Sequence, residues 1–402
     1  MRDALLGIRN LDWDLATAAP PQEVRRLFRR TVPVGIEFGT VGVLDEDGRM
    51  HEVTTFRRDI RTDGRHAVVE FGASLDDDLA RRDFTINAIA YSPATRELHD
   101  PFNGLGDLEA GIVRAVGDPS QRMVEDRLRA LRAFRFASRF GFRIESSTWS
   151  AVLESAPHLG RLSPERVKQE LEKTMDQVRC PSRALLMWRD SGSFATVVPP
   201  LADVSNDTLF AVDVHALPVG KRAGVRRLLR MATLFSRIGP AAARSALRQL
   251  RFSNAHVRGT GVIIEVWTGL HEDIARALGE RADIPPAQLR RWVSAAGRLQ
   301  VGAVLRLAES HWHVRRERGL PAPDALRVRS LYRAALTIAF RDPVELSDLA
   351  IGGDDLRAGG IPPGPEMAVV LRELLDEVLE DPARNTVETL MARARAIHSG
   401  LR

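Results

Sequence analysis

The sequence predicts a small α/β head followed by a long, all-helical remainder. Three observations carry that prediction. Short β-like runs bounded by turn residues are confined to residues 1–120. From about Asp118 onward, apolar residues recur at helical spacing instead. A basic ribbon, VEDRLRALRAFRFASRF (124–140), stands where one pattern gives way to the other.

Residues 11–17 read as a strand, and 21–28 as a helix that opens on Pro20 and Pro21, where a missing N–H is tolerated. Residues 39–44 (GTVGVL), 52–56 (EVTTF) and 89–92 read as further strands. Helices follow over 124–140, 163–178, 181–188, 223–238, 241–250 and 256–278, then 286–295, 323–339, 366–379 and 386–397. GGDDLRAGGIPPGP (352–365) is a Gly/Pro-rich connector before the last pair. No repeat of fixed period and no low-complexity tract interrupts this order.

At 402 residues the chain can bury several cores, and its 44% hydrophobic and 28% charged content is ordinary for a globular protein. No apolar run reaches the roughly 20 residues of a membrane span, and no signal-peptide pattern follows Met1. The single cysteine, Cys180, excludes an internal disulfide and a cysteine metal cage, and a reducing, cytoplasmic setting is expected. The net charge is +5, and the positive charge is almost entirely arginine, because lysine occurs only at Lys168, Lys173 and Lys221. A GC-rich coding bias produces such a composition. So does phosphate recognition, since a guanidinium meets phosphate through two parallel donors.

Asp12 and Asp14 flank Trp13 inside the first expected strand. Side chains two apart on a strand share a face, so the two acids project together and Trp13 turns the other way. Like charges that close repel unless a cation sits between them. Oxygen-only ligands suit Mg²⁺, and in nucleotidyl transfer such ions activate the attacking hydroxyl and stabilise the leaving pyrophosphate. Glu52, opening a later strand, is a candidate third carboxylate. Solvated aspartates near a turn give the same pattern, so the pair needs company.

LARRDFTINAIAY (79–91) supplies some. Arg81, Arg82 and Asp83 precede a Thr-x-Asn pair and an apolar run, a placing from which the arginines can grip a triphosphate while Thr85 and Asn87 cap or bridge locally. A charged, capped helix start would read the same way. On the ribbon, Asp126, Arg129, Arg132, Arg135 and Arg139 fall at i,i+3 and i,i+4 spacing without the alternating acids of an ordinary solvated face. Leu128, Leu131, Phe134 and Ala137 fill the buried side. Asp126 beside Arg129 has a specific use. Cytosine and adenine each present an amino donor next to a ring-nitrogen acceptor, so a carboxylate and a guanidinium together accept C and A and refuse G and U.

The chain resembles the class II tRNA nucleotidyltransferases, that is, the CCA-adding enzymes and the related bacterial poly(A) polymerases. The resemblance lies in RDALLG (2–7), DWD (12–14), RRDFTINA (81–88), DPFNGLGDL (100–108), EDRLRALRAFRF (125–136), SPERVKQEL (163–171) and GIPPGP (360–365), so it spans nearly the whole chain. It implies an α+β nucleotidyltransferase head, polymerase β-like, over 1–120, then an all-α neck over 121–180 and an all-α body and tail over 181–402. It implies Asp12 and Asp14 as metal carboxylates, Arg2 and Arg82 on triphosphate or ribose, and Asp126 with Arg129 as the base-reading pair, Arg132 and Arg135 beside them. RRDIRTDGRHAVVEF (57–71) is similar to the loop with which the family switches from C to A addition, and VGIEFGTVGV (34–43) to its tRNA-specific branch. HEDIARAL (271–278) supplies no His/Asp cluster of a phosphohydrolase.

The family places a strand and a Gly-Gly-x-Val lead-in before RDALLG, whereas Met1 stands here at the Val position. Two expectations follow: a natural chain that begins further upstream, or a truncated head. The implied function is a Mg²⁺-dependent enzyme that builds or repairs the 3′ CCA of tRNA from CTP and ATP. An A-adding enzyme that follows a CC-adding partner, a poly(A) polymerase and an inactive RNA-binding relative are the alternatives. The tRNA would lie along the helical body through arginine–phosphate contacts and shape.

Overall fold

The computed structural model describes residues 1–8, 13–62, 67–280 and 283–400. The chain forms two compact units, Met1–Asp203 and Val204–Arg402. Among the described residues no helix is long and apolar enough to cross a membrane.

The first unit begins with α1 (Arg2–Leu5), β1 (Leu15–Thr17), α2 (Pro21–Leu27), β2 (Thr31–Gly35), β3 (Thr40–Leu44) and β4 (Met50–Thr55). These strands make a sheet in the order β1-β4-β3-β2, in which β1 runs parallel to β4 and the other pairs are antiparallel. Val41, Val43 and Val53 turn inward from β3 and β4, and Val24 of α2 covers them. Leu11 and Asp12 lie outside the described residues. Trp13 and Asp14 precede β1 without regular structure, and Trp13 is 42% exposed.

A hairpin, β5 (Arg57–Thr62) and β6 (Ala67–Phe71), carries the segment similar to the family's switching loop, whose residues 63–66 lie outside the described residues. Then come α3 (Leu75–Ala80), β7 (Ala90–Ser92), β8 (Glu97–His99), α4 (Gly104–Ala110) and β9 (Ile112–Val113). Gly104 is required at the start of α4, because a Cβ there would lie 2.3 Å from the Thr85 carbonyl oxygen.

The expected helix over 124–140 is two helices, α5 (Pro119–Glu125) and α6 (Leu128–Phe140). The break falls at Asp126, whose backbone is extended (φ −149°, ψ 101°) and whose Oδ1 accepts from the Leu128 amide at 3.0 Å, caging the first turn of α6. A residue that serves the backbone in this way competes with continuing the helix. The first unit ends with β10 (Arg143–Ile144), α7 (Ser146–Ser155), α8 (Pro164–Gln177), α9 (Ser182–Asp190) and α10 (Ser193–Val197). Trp188 of α9 is wholly buried against Phe194.

The second unit is helical among the described residues: α11 (Asn206–Asp213), α12 (Ala223–Phe235), α13 (Pro240–Gln249), α14 (Asn254–Gly279), α15 (Pro286–Ala296), α16 (Val301–Glu317), α17 (Ala325–Arg341), α18 (Gly353–Ala358), α19 (Pro365–Glu380) and α20 (Val387–Gly400). The sequence reading lacks α16. Ser310 and His311 interrupt its apolar pattern although both are buried, with His311 Nε2 2.8 Å from Ser236 Oγ. The last helices enclose a separate core around Leu356, Val370, Leu374 and Leu390.

Candidate active site

Asp14 immediately precedes β1, the edge strand, and Glu52 lies on its neighbour β4. The parallel register pairs Leu15 with Val53, so each acid is the chain neighbour of one member of a paired position. Both acids are exposed. Asp12 lies outside the described residues. Among the described residues no three His, Cys, Asp or Glu side chains gather into a metal cluster. The carboxylates at this edge are oxygen donors throughout, which suits a hard divalent cation.

Arg2 lies beside this edge. Asp14, Arg82, Arg2 and Asp3 all act electrostatically on the Met1 amine, whose pKa is lowered first by burial and then by Arg2. The Arg2 guanidinium lies 4.8 Å from the ring centroids of both Phe136 and Phe140 on α6. Its Nη1 donates to Asn87 Oδ1 and its Nε to Asp3 Oδ1, the latter at 2.7 Å. The other Asp3 oxygen accepts from Arg139 at 3.0 Å.

The RRDFTIN turn locks these groups together. Asp83, 8% exposed, accepts from the Phe84 amide at 2.9 Å, from Asn87 Nδ2 at 2.8 Å and from Arg132 Nε at 2.7 Å. Burial opposes its charge, yet the Arg132 guanidinium and the Asn87 hydrogen bond hold its carboxyl below the usual range. Thr85 instead donates to buried Asp107 at 2.7 Å. Asp78 accepts from Arg81 and Arg82 at 2.7 and 3.1 Å. Arg82 Nε is buried without a partner among the described residues, an orphaned donor of the kind a phosphate or ribose oxygen would satisfy.

Arg129 is held against this turn. Its Nη1 donates to the Arg122 carbonyl at 2.7 Å and to Glu125 Oε2 at 2.8 Å, and its Nη2 to the Arg81 carbonyl at 2.9 Å. Three of its five donors are thus engaged by described residues, and the orientation of the guanidinium is fixed. Asp126 meets Arg166 of α8, Nη2 to Oδ2 at 2.7 Å. Of the expected site residues, then, Arg2, Arg82 and Arg132 meet at the RRD turn, Arg129 abuts it, Asp126 faces Arg166, and Asp14 acts with Arg82 on the Met1 amine.

Arg135 differs from its neighbours. Its side chain is 4% exposed and donates from Nε to Glu170, itself 1% exposed, at 2.7 Å. The ribbon's missing acids are supplied from elsewhere: Asp83 for Arg132, Glu170 for Arg135 and Asp3 for Arg139. Asn87 bridges Arg2 and Asp83 locally, as expected of it, and the second residue of this cluster, Glu125, which the sequence reading left without a role, pairs with Arg129. The Glu immediately before Asp126, four residues from Arg129, is the signal that points to the second.

The family described as "Poly A polymerase head domain" matches residues 1–114, and "Probable RNA and SrmB- binding site of polymerase A" matches residues 141–204. The CCA-adding enzyme of Pediococcus pentosaceus is 32% identical over 391 residues, covering 96% of this chain and 89% of that protein. That of Lactiplantibacillus plantarum is 33% identical over 404 residues, covering 99% and 90%. Among solved structures, the Bacillus stearothermophilus CCA-adding enzyme in complex with CTP superposes with a TM-score of 0.74 at 30% identity, covering 99% of this chain and 92% of that one. The Thermotoga maritima CCA-adding enzyme complexed with tRNA shares the fold, with a TM-score of 0.64 at 21% identity over 100% and 89% of the two chains.

Proposed function

The chain belongs to the CCA-adding enzymes, and from that premise we propose that it adds or repairs the 3′-terminal CCA of tRNA, using CTP and ATP. It is a template-independent nucleotidyltransferase with an α+β head and a helical remainder. The observation that carries the reading is the likeness over essentially the full chain, at about a third identity, to enzymes of that one activity. We further assign the cation as Mg²⁺, the setting as cytoplasmic, and the individual residues as follows.

In the reaction the 3′-hydroxyl of the tRNA attacks the α-phosphorus of the nucleotide. A P–O bond forms, the bond to the β-phosphate breaks, and the hydroxyl proton and pyrophosphate leave. Asp12 and Asp14, with Glu52 as a less central third carboxylate, would hold the divalent cation, which polarises the hydroxyl and neutralises charge on the phosphates. Arg82 offers its orphaned Nε and Arg2 its stacked guanidinium to the triphosphate. Asp126 accepts from the exocyclic amine of cytosine or adenine, and Arg129 donates to the ring nitrogen. Arg132 and Arg135 act as positioning residues, the first through Asp83 and the second through Glu170.

The test supplies the purified chain with Mg²⁺ and with CTP and ATP, separately and together, on tRNAs ending before CCA or after CC. Extension of both tRNAs is expected. Addition of a single A to the CC-ended tRNA alone would overturn C addition and leave an A-adding enzyme. Failure to extend either would overturn the activity for this chain.

A further inference from the structure

We propose that Arg166 is a positioning residue that occupies the base-reading carboxylate until a nucleotide replaces it. The proposal rests on the reading of Asp126 as the acceptor for the base's amino group. Arg166 Nη2 donates to Asp126 Oδ2 at 2.7 Å, and the two side chains are 31% and 28% exposed, so a ligand can reach the contact. The other Asp126 oxygen is bound to the Leu128 amide, part of the turn that starts α6. Oδ2 is therefore the oxygen able to change partners without unwinding the helix.

The element that carries Arg166 is anchored. Glu170, one turn along α8 from Arg166, is clasped by Arg135 in the buried ion pair, which anchors α8 to α6. Arg166 reaches Asp126 from this rigid base through a long side chain in partial contact with solvent. Exchange is donor for donor: an N–H of cytosine or adenine takes the place of a guanidinium N–H on the same oxygen. Arg132, whose charge acts on Asp126, keeps the carboxylate compensated when Arg166 withdraws. Arg166 thus competes equally with both correct nucleotides, whereas discrimination against uracil stays with Asp126 itself.

The experiment compares the full chain with its Arg166→Gln and Arg166→Lys variants in steady-state addition of C, A and U to tRNAs ending before CCA or after CC. Arg166→Gln is expected to lower KM for CTP and for ATP by the same factor, about two- to fivefold for a partly exposed ion pair. Its kcat and its CTP-over-UTP preference stay unchanged, and Arg166→Lys restores much of the original KM. A higher KM, or a lower kcat at unchanged KM, would overturn the proposal, because Arg166 would then support Asp126 in the bound state. Asp126→Asn separates the two readings. Loss of the CTP-over-UTP preference upholds Asp126 as the base acceptor, while its retention overturns that assignment whatever Arg166 does.

Discussion

Arg135 and Glu170 form an ion pair, Nε to Oε2 at 2.7 Å, in which neither side chain is more than 4% exposed. It joins α6 to α8 beneath the arginines assigned to the nucleotide. Breaking a buried pair leaves one charge without compensation, which destabilises by about 3–5 kcal/mol. Glu170→Ala is therefore expected to lower the urea midpoint of the first unit sharply. Measured stability within about 0.5 kcal/mol of the parent would mean that the pair is dispensable.

Asp14 is exposed just before β1, so removing its carboxylate disturbs little packing. Asp14→Ala is expected to reduce nucleotide addition by on the order of 10²–10³-fold or more, the scale of losing one positioned charge at a transition state. Binding of tRNA, followed by gel shift, should persist. Continued extension by this variant would refute the metal assignment.

His215 and His311 lie within the second unit, hydrogen-bonded to Thr233 at 2.7 Å and Ser236 at 2.8 Å. Burial pushes each down to about 3, with Arg230 and Arg306 adding for His215 and Arg237 foremost for His311. In the unfolded chain both titrate near 6.5. Their contribution is complete above that value and is lost as pH falls from about 6.5 toward 3, at up to about 2.7 kcal/mol per pH unit for the two together. The window above pH 5, where most carboxylates remain charged, isolates the effect. Trp267 stacks on His311 at 5.7 Å and reports it by fluorescence. His311→Gln should remove about half of the pH slope. An unchanged slope would count against a neutral, buried imidazole.

Gly39 has φ +84°, and a Cβ there would lie 2.6 Å from Phe71 Cε1, at the end of the β5–β6 hairpin. Gly39→Ala is expected to destabilise the head by about 1–2 kcal/mol from the left-handed backbone alone. Because Phe71 must also move, A addition should slow more than C addition if the hairpin serves the switch between them. Equal slowing of both would separate the hairpin from nucleotide choice.

Local periodicity and local chemistry made much of this protein legible in its sequence. Strands 39–44 and 52–56 and most of the helices follow from spacing alone, because the side-chain period of each element decides which of its residues share a face. The motifs that carry the family resemblance were legible for a similar reason: DWD, RRDFTINA and EDRLR are each contained within a few residues.

Tertiary structure decided what each charge does. On the ribbon all the arginines look alike in sequence, yet three of them take their acids from far away: Asp83 is 49 residues from Arg132, Glu170 is 35 from Arg135, and Asp3 is 136 from Arg139. A charge is buried only where a partner compensates it, and no window of sequence reveals a partner that distant. The same holds for α16, whose buried His311 finds Ser236 75 residues away. The sequence by itself determined most of the elements and the order of the charged motifs. Only the packing of α6 against α8 and the RRD turn decided which acid each of these arginines of the ribbon meets, because those partners are brought together by folding and not by sequence.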